Sequence, residues 1–312
     1  MMMKEGNNMK IRIIGSGVYG LGTANKLSKN NKDIMVWTEK EISEINHLSK
    51  LSFTNSYEEL LKDADICYIL ISTKFIKECI KELVKYADEK TLFVIGSKGI
   101  LDDGTFICDY LKKHLPNNHI GVISGPTFAV DVNALEPVGF TFASENKEDY
   151  DLIKRIYKDT FLEYSSDVKA ISLCGVIKNV YAIGNGIIDG LGLGYSTKCL
   201  LVYKALFEIK NTFKEMKFNE ESSISLAGIG DLILTSTSPT SRNYTFGIIC
   251  SRGSKEEKRA YLDKTTVEGF ENLIVLNKLF NKLKIKPPLL NSIYEVVIEN
   301  KTSEEVIKTL LR

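Results

Sequence analysis

The chain has 312 residues, enough for one large domain or two of ordinary size, and 44% of them are hydrophobic, so a substantial core can be buried. Forty-one Lys and Arg against forty Asp and Glu leave a formal net charge of +1. That balance excludes any global attraction to nucleic acid or anionic membranes and leaves anion binding to local groups. The six cysteines, Cys67, Cys79, Cys108, Cys174, Cys199 and Cys250, show no C-x-x-C spacing and sit mostly among apolar neighbours. They read as reduced core residues of a cytoplasmic protein, and no metal is expected.

The opening MMMKEGNNMK has no apolar stretch of signal-peptide kind and is expected to be a loose extension through residue 9. The strand-like run Ile11 to Ile14 follows, and then GSGVYG, in which Gly15, Gly17 and Gly20 fill the G-x-G-x-x-G spacing. The first glycine permits a tight turn, the second removes a Cβ that would block a pyrophosphate, and the third lets helix and strand pack closely. Val18 to Lys29 reads as a helix with Leu21, Ala24 and Leu27 on one side. Its N-terminus offers unpaired N–H groups and a partial positive charge to phosphates. The spacing alone also describes an ordinary turn; its place between a strand and a helix favours a dinucleotide.

Glu39 follows the strand IMVWT at the distance where an acidic residue accepts hydrogen bonds from the adenine ribose. A carboxylate there favours NAD over NADP by repelling a 2′-phosphate. Lys40 beside it could accommodate that phosphate, and a carboxylate merely opening a helix is the alternative.

Apolar, β-branched runs recur at Ile34 to Thr38, Ile66 to Ser72, Thr91 to Gly96, His119 to Ser124 and Val138 to Ser144. Helical patterns at Tyr57 to Asp63, Lys74 to Ala87, Thr105 to His114 and Lys147 to Asp159 alternate with them. This βαβ series predicts a Rossmann-like, doubly wound, mainly parallel sheet over residues 10–166. Two turns at its strand ends carry chemistry. Ser97-Lys98-Gly99 puts a lysine at the sheet's carboxyl edge, and Ser124-Gly125-Pro126-Thr127-Phe128-Ala129 offers N–H groups and a hydroxyl to a polar ligand, unless Ser124 and Thr127 simply cap a helix.

Beyond residue 166, apolar periodicity at Val168 to Leu191, Thr197 to Phe213, Tyr244 to Ser251, Gly269 to Lys284 and Leu289 to Glu299 predicts an all-helical domain over 167–312. The charged stretch Gly253 to Lys264 reads as a surface connection. Ile171 to Leu191 is apolar enough to suggest a membrane span, but Lys178, Asn179, Asn185 and Asp189 within it indicate a buried soluble helix instead. Asn185 and Asp189 lie within about 20° of Lys178 on one face at 100° per residue. A solvated face is the usual reason for such a stripe, yet the flanking apolar residues leave little exposed perimeter and suggest that Lys178 is partly buried. Burial and a second cation, for which Lys98 is a candidate, would tune such a lysine for proton exchange near neutral pH. Further on, GIGDLILT from Gly228 holds Asp231, able to orient a lysine, accept a substrate hydroxyl or cap a helix. Ser241-Arg242-Asn243 combines a forked phosphate ligand with two short polar donors, although Arg242 alone could form a surface ion pair.

GSGVYG, SKGI at Ser97, SGPTFAVDV at Ser124, IKNVYAIGNGIIDGLGLG at Ile177, GIGDLILTSTSPTSRNYTFG at Gly228 and VEGFEN at Val267 stand in one order. Together they resemble the bacterial NAD(P)-dependent glycerol-3-phosphate dehydrogenase family over about residues 10 to 300. The resemblance implies an N-terminal Rossmann domain with a C-terminal all-helical domain. It implies interconversion of dihydroxyacetone phosphate and sn-glycerol 3-phosphate with NAD(H), NADP(H) remaining open, chiefly to supply phospholipid synthesis. It makes Lys178 the catalytic proton donor and acceptor, and maps Lys98, Gly125, Thr127, Asp231, Ser241, Arg242 and Asn243 onto substrate-binding positions. Val18, Tyr19, Glu39, Lys98, Ala129, Arg242, Thr266 and Glu268 map onto cofactor contacts, beside the glycines of the loop. A homodimer without nucleic-acid partners or membrane insertion is also implied. Cys174, Ser196, Lys198 and Lys204 depart from residues common in the family, which bears on packing and on effector or subunit contacts. Two rival readings are a β-hydroxyacid dehydrogenase, which also joins a Rossmann domain to a helical domain with a catalytic lysine, and a non-catalytic NADH-sensing module.

Overall fold

The computed structural model describes residues 9–42 and 50–312. These form two compact units, one from the described residues of Met1–Lys98 with Thr105–Val168, the other from Gly99–Gly104 with Lys169–Arg312.

The first unit is built on eight strands: β1 (Lys10–Ile14), β2 (Asp33–Trp37), β3 (Ser52–Thr54), β4 (Ile66–Ile69), β5 (Leu92–Ile95), β6 (Ile120–Ser124), β7 (Gly139–Ser144) and β8 (Phe161–Ser165). They lie in the order β3-β2-β1-β4-β5-β6-β7-β8. The first six pair in parallel, β7 runs antiparallel to β6, and β8 is parallel to β7. Among the described residues, six α-helices accompany the sheet: α1 (Val18–Ser28), α2 (Tyr57–Leu61), α3 (Ile76–Tyr86), α4 (Ile107–His114), α5 (Ala129–Asn133) and α6 (Lys147–Ile156). Strands β4 and β5 are buried at every residue, which is why ICYI and LFVI read as continuous apolar runs. The strand order reverses at β1, between β2 and β4, and in such sheets ligands collect beyond the carboxyl ends at that point. The expected loose extension falls on residues 1–8, outside the described residues, except for Met9, which is buried in the sheet's core.

The second unit is helical: α7 (Val168–Gly190), α8 (Tyr195–Met216), α9 (Asp231–Thr237), α10 (Arg242–Arg252), α11 (Lys255–Lys264), α12 (Glu268–Leu283), α13 (Pro288–Val297) and α14 (Glu304–Leu310). By length and composition α7 could cross a membrane, but 94% of its most apolar window is buried in the protein, as befits a core helix. Glycines let α10 lie directly on it. A Cβ on Gly186 would stand 2.0 Å from Tyr244 O, and one on Gly247 would stand 2.1 Å from Ile183 O. Buried Glu208 of α8 accepts the N–H groups of Leu289 and Leu290 at 2.7 and 2.8 Å, satisfying amides at the start of α13 that have no helical acceptor. Burial raises that carboxyl's pKa, with the two amides pulling the other way.

One expectation needs correction. The charged stretch from Gly253 is not a connection but helix α11, started by a capping box in which Ser254 and Glu257 each bond the other's backbone N–H. The S-x-x-E signature is present in the sequence. No α11 residue is buried, so no apolar face marked the helix.

Candidate active site

In the first unit the glycine loop has the shape its spacing predicts. Gly15 adopts φ +120°, and a Cβ on it would meet Leu70 O at 2.5 Å; one on Gly20 would meet Gly15 O at 2.0 Å. A Cβ on Gly17 meets nothing within 4 Å, so the space above it is open to a ligand. Gly17 is the N-cap of α1 and makes no side-chain cap bond, and the first turn holds no acidic residue. The first intrahelical bond runs from Leu21 N to Gly17 O, and the exposed Val18 precedes it. Such an end suits a pyrophosphate.

Neighbouring turns are tied to this loop. Ser16 Oγ and Thr38 Oγ1 are 2.8 Å apart, which joins the loop to the end of β2, and the exposed Glu39 follows there. Ser97 Oγ donates to Ile71 O at 2.6 Å and accepts from Ile71 N at 3.2 Å, fixing the turn that carries half-buried Lys98. Tyr19 Oη and Thr127 Oγ1 lie 3.5 Å apart, linking α1 to the turn after β6. Gly125 and Thr127 are buried in that turn, and Ala129 opens α5, whose N-cap is Phe128 rather than Ser124 or Thr127. Gly15, Gly17, Val18, Tyr19, Gly20, Glu39, Lys98, Gly125, Thr127 and Ala129 therefore gather at the carboxyl edge of one sheet. An open cradle above Gly17, a bare helix N-terminus and a carboxylate after β2 fit a dinucleotide.

The second unit holds the ionic centre. Lys178 is only 6% exposed, and its Nζ donates to Asp231 Oδ1 at 2.5 Å and to Thr235 Oγ1 at 2.8 Å. Asp231, wholly buried, is the first residue of α9, and Thr235 one turn later donates to it at 3.3 Å. The carboxylate thus supplies the counter-charge that a buried ammonium requires. A π-helical turn, Leu226–Gly230, leads into α9, with Ser225 Oγ accepting Gly228 N at its start. π turns recur at functional sites, and this one delivers Asp231 to α7. The polar stripe on α7 is accordingly not a solvated face. Lys178 and Asn185 both turn to α9, with Asn185 Nδ2 donating to Ser236 O at 3.0 Å. Asp189 pairs with Lys198 at the helix end, and that bond holds its carboxyl below the ordinary range.

Ser241, Arg242 and Asn243 form the N-terminus of α10. Ser241 is its N-cap, accepting Tyr244 N at 3.3 Å. Arg242 is exposed, and among the described residues no carboxylate pairs with it. Asn243 also bonds within the protein. Its Nδ2 donates one hydrogen to Asn179 Oδ1 at 3.0 Å, and its Oδ1 accepts Gly269 N at 2.8 Å, so its amide is oriented by the protein. Asn179 also donates to Glu268 Oε2 at 3.3 Å, which ties α7, α10 and the start of α12 together. Thr266 is exposed one residue before the α12 N-cap, Val267. Sequence reasoning did not single out Asn179 or Thr235. The only available signals were Asn179's adjacency to Lys178 and Thr235's position one turn beyond Asp231. Of the departures, Cys174 is buried and its Sγ donates to Ser222 O at 3.6 Å, while Lys204 lines a cavity between α8 and the start of α13.

A buried ion pair contributes little net stability but is costly to break on one side. Asp231→Ala is expected to destabilise the protein by about 3–5 kcal/mol, because it leaves the ammonium buried without its counter-charge. The double variant Lys178→Met/Asp231→Leu should regain most of that loss. Urea unfolding monitored by circular dichroism checks both, and a double variant no more stable than Asp231→Ala would contradict this account.

Comparison with known proteins identifies the family. Residues 10–150 match the family model described as NAD-dependent glycerol-3-phosphate dehydrogenase N-terminus, and residues 167–308 match the corresponding C-terminus. The chain is 30% identical over 325 residues to the glycerol-3-phosphate dehydrogenase (NAD(P)+) of Bacillus velezensis, covering 97% of this chain and 94% of that one. It is 29% identical over 324 residues to that of Staphylococcus epidermidis, covering 97% of each. The crystal structure of glycerol-3-phosphate dehydrogenase from Coxiella burnetii is similar, with a TM-score of 0.89 at 26% identity over 97% of this chain and 99% of that one. The chain belongs to the NAD-dependent glycerol-3-phosphate dehydrogenase family, whose members are NAD(P)-dependent oxidoreductases.

Proposed function

We propose that the protein is a cytoplasmic enzyme that interconverts dihydroxyacetone phosphate and sn-glycerol 3-phosphate with NAD(H), supplying glycerol 3-phosphate for phospholipid synthesis. The observation that carries this reading is the buried Lys178 on α7, paired with Asp231 and Thr235, in the same helical unit as the α10 N-terminus. A β-hydroxyacid substrate needs no phosphate site. Here Arg242 is exposed and lacks an ion-pair partner among the described residues, and it stands at a helix N-terminus capped by Ser241. Its guanidinium, with the backbone N–H groups of Arg242 and Asn243, would hold the phosphate. Asn243's side chain would act at one remove, bracing the turn through Asn179.

Gly15, Gly17, Val18, Tyr19 and Gly20 would hold the pyrophosphate, Glu39 the adenine ribose, and Ala129, Thr266 and Glu268 further parts of the cofactor. When bound, the reduced nicotinamide supplies the hydride that the C2 carbonyl accepts. Lys178 gives its proton to the oxygen on which negative charge grows, so its interaction strengthens toward the transition state. Asp231 and Thr235 hold Nζ in place through that transfer and orient the lysine for reprotonation. Lys98, with Gly125 and Thr127, would position the reacting end of the substrate. In the oxidative direction Lys178 accepts the proton instead. A non-catalytic NADH sensor would have no use for a buried ammonium poised in this way.

Lys178→Ala should lower kcat by at least about a hundredfold with little change in NADH affinity. Arg242→Ala should raise KM for dihydroxyacetone phosphate by about ten- to a hundredfold, the loss of a charge-assisted contact. NADH oxidation dependent on dihydroxyacetone phosphate measures both. Near-normal turnover of Lys178→Ala would refute the assignment, and no turnover by the unmodified protein would refute the activity.

Glu39 sets the cofactor preference in this reading. Glu39→Arg should reverse the ratio of kcat/KM for NADH to that for NADPH; equal use of both by the unmodified enzyme would remove the premise.

The protein is further proposed to act as a homodimer. On α8, Tyr195, Cys199, Tyr203 and Phe207 follow one another at four-residue spacing and all are exposed, with the rings of Tyr203 and Phe207 4.6 Å apart. An apolar row of this kind on a surface helix suits a partner copy. Light scattering after gel filtration should give twice the chain mass, falling to one chain mass in Tyr203→Glu/Phe207→Glu. A monomeric unmodified protein would exclude the dimer.

A further inference from the structure

The proton-transfer centre accounts for Lys178, Asp231 and Thr235 but not for the next polar residue on the same face of α7. Asn185 lies seven residues beyond Lys178, about 20° from it around the helix. It is fully buried, as is Ser236, the neighbour of Thr235 on α9. One bond between them is formed, Asn185 Nδ2 to Ser236 O at 3.0 Å. Asn185 Oδ1 and Ser236 Oγ are both buried with no hydrogen-bond partner among the described residues. An acceptor and a hydroxyl orphaned beside an existing cross-helix bond form the polar setting in which an internal water is held.

Helix α9 has seven residues, Asp231–Thr237, too few to be stable by its own hydrogen bonding. Its placement therefore depends on its neighbours, the π turn, α8 and α10 together with the side-chain bonds that join it to α7. Lys178 grips Asp231 and Thr235. The bond to Asp231 is ionic, and it loosens whenever the lysine has given up its proton. The Asn185–Ser236 contact carries no charge and does not titrate. We propose that Asn185 and Ser236, with one internal water bridging Asn185 Oδ1 and Ser236 Oγ, are positioning residues that keep α9 seated on α7 while Lys178 is neutral. They hold Asp231 and Thr235 ready to receive the reprotonated lysine. This rests on the assignment of Lys178 as the proton donor.

The test compares Asn185→Leu, which keeps the volume, and Ser236→Ala, which removes a single oxygen, with the unmodified enzyme. Lys178→Ala serves as control. The measurements are kcat and both KM values across pH in the direction of dihydroxyacetone phosphate reduction. Asn185→Leu should lower kcat about tenfold at neutral pH and by more as pH rises, because neutral lysine then persists longer, while KM for NADH stays unchanged. Ser236→Ala should show the same pattern at about threefold, and the double variant should be no worse than Asn185→Leu alone, as for two members of one contact. If the variants melt earlier but keep the kcat–pH profile of the unmodified enzyme, the pair is only packing and the proposal fails. If Asn185→Leu does not fold, Ser236→Ala decides alone, and an unchanged profile there overturns the proposal. Turnover retained by Lys178→Ala would instead sink the lysine assignment, which keeps the two failures apart.

Discussion

The buried contact between Lys178 and Asp231 is the constraint around which the helical unit is organised. Removing two charges from water is unfavourable, and apolar residues of similar size would stabilise the core at least as well. The pair makes sense as a reactive group kept dry until it is used. Its burial demands that α7 be surrounded almost completely, which explains why a 23-residue helix carries apolar residues around most of its circumference. Close approach of α10 at Gly186 and Gly247 is one means of covering it. The same approach sets the N-terminus of α10 beside Asn179, one residue from the lysine, so the requirement to shield a charge also places the proposed phosphate-binding turn.

Charge balance leads to a similar economy. With a net charge of +1, the protein has no broad positive field to attract a dianionic substrate or a pyrophosphate, and attraction must be generated locally. The proposed anion sites are both helix N-termini, α1 and α10, and neither has an acidic residue in its first turn. Helices α6 and α11 each place two carboxylates there and so neutralise their own dipoles.

What could be read from the sequence divides along a physical line. Periodicity and turn chemistry are local, and they revealed the central strands, the glycine loop and the long helices. Strand β3, only three residues long, and strand β8, partly exposed along most of its length, lack the continuous apolar run that betrays a buried strand. Helix α9 was missed because it is short and follows a π turn, so its apolar residues do not extend a regular repeat. Site residues followed the same division. The face bearing Lys178 and Asn185 could be computed from spacing, whereas the bonds that give those residues their roles join positions more than 50 residues apart. Asn243 shows the consequence most clearly. Its place beside Arg242 was legible, whereas the bonds of its amide to Asn179 and Gly269 were not.

The stripe on α7 shows why spacing alone cannot assign chemistry. Lys178, Asn185 and Asp189 share a face by the same helical arithmetic, yet each meets a different environment. Lys178 meets a buried carboxylate and a hydroxyl, Asn185 meets a backbone carbonyl, and Asp189 meets Lys198 near solvent. Only the first combination joins a transferable proton to a charge that water does not screen. The second can hold helices together without responding to pH. The third, with a side chain about one-third exposed, is weakened by solvent and serves the helix end. Function along this helix is therefore graded by what the facing element presents, and the face itself specifies only which residues can be recruited.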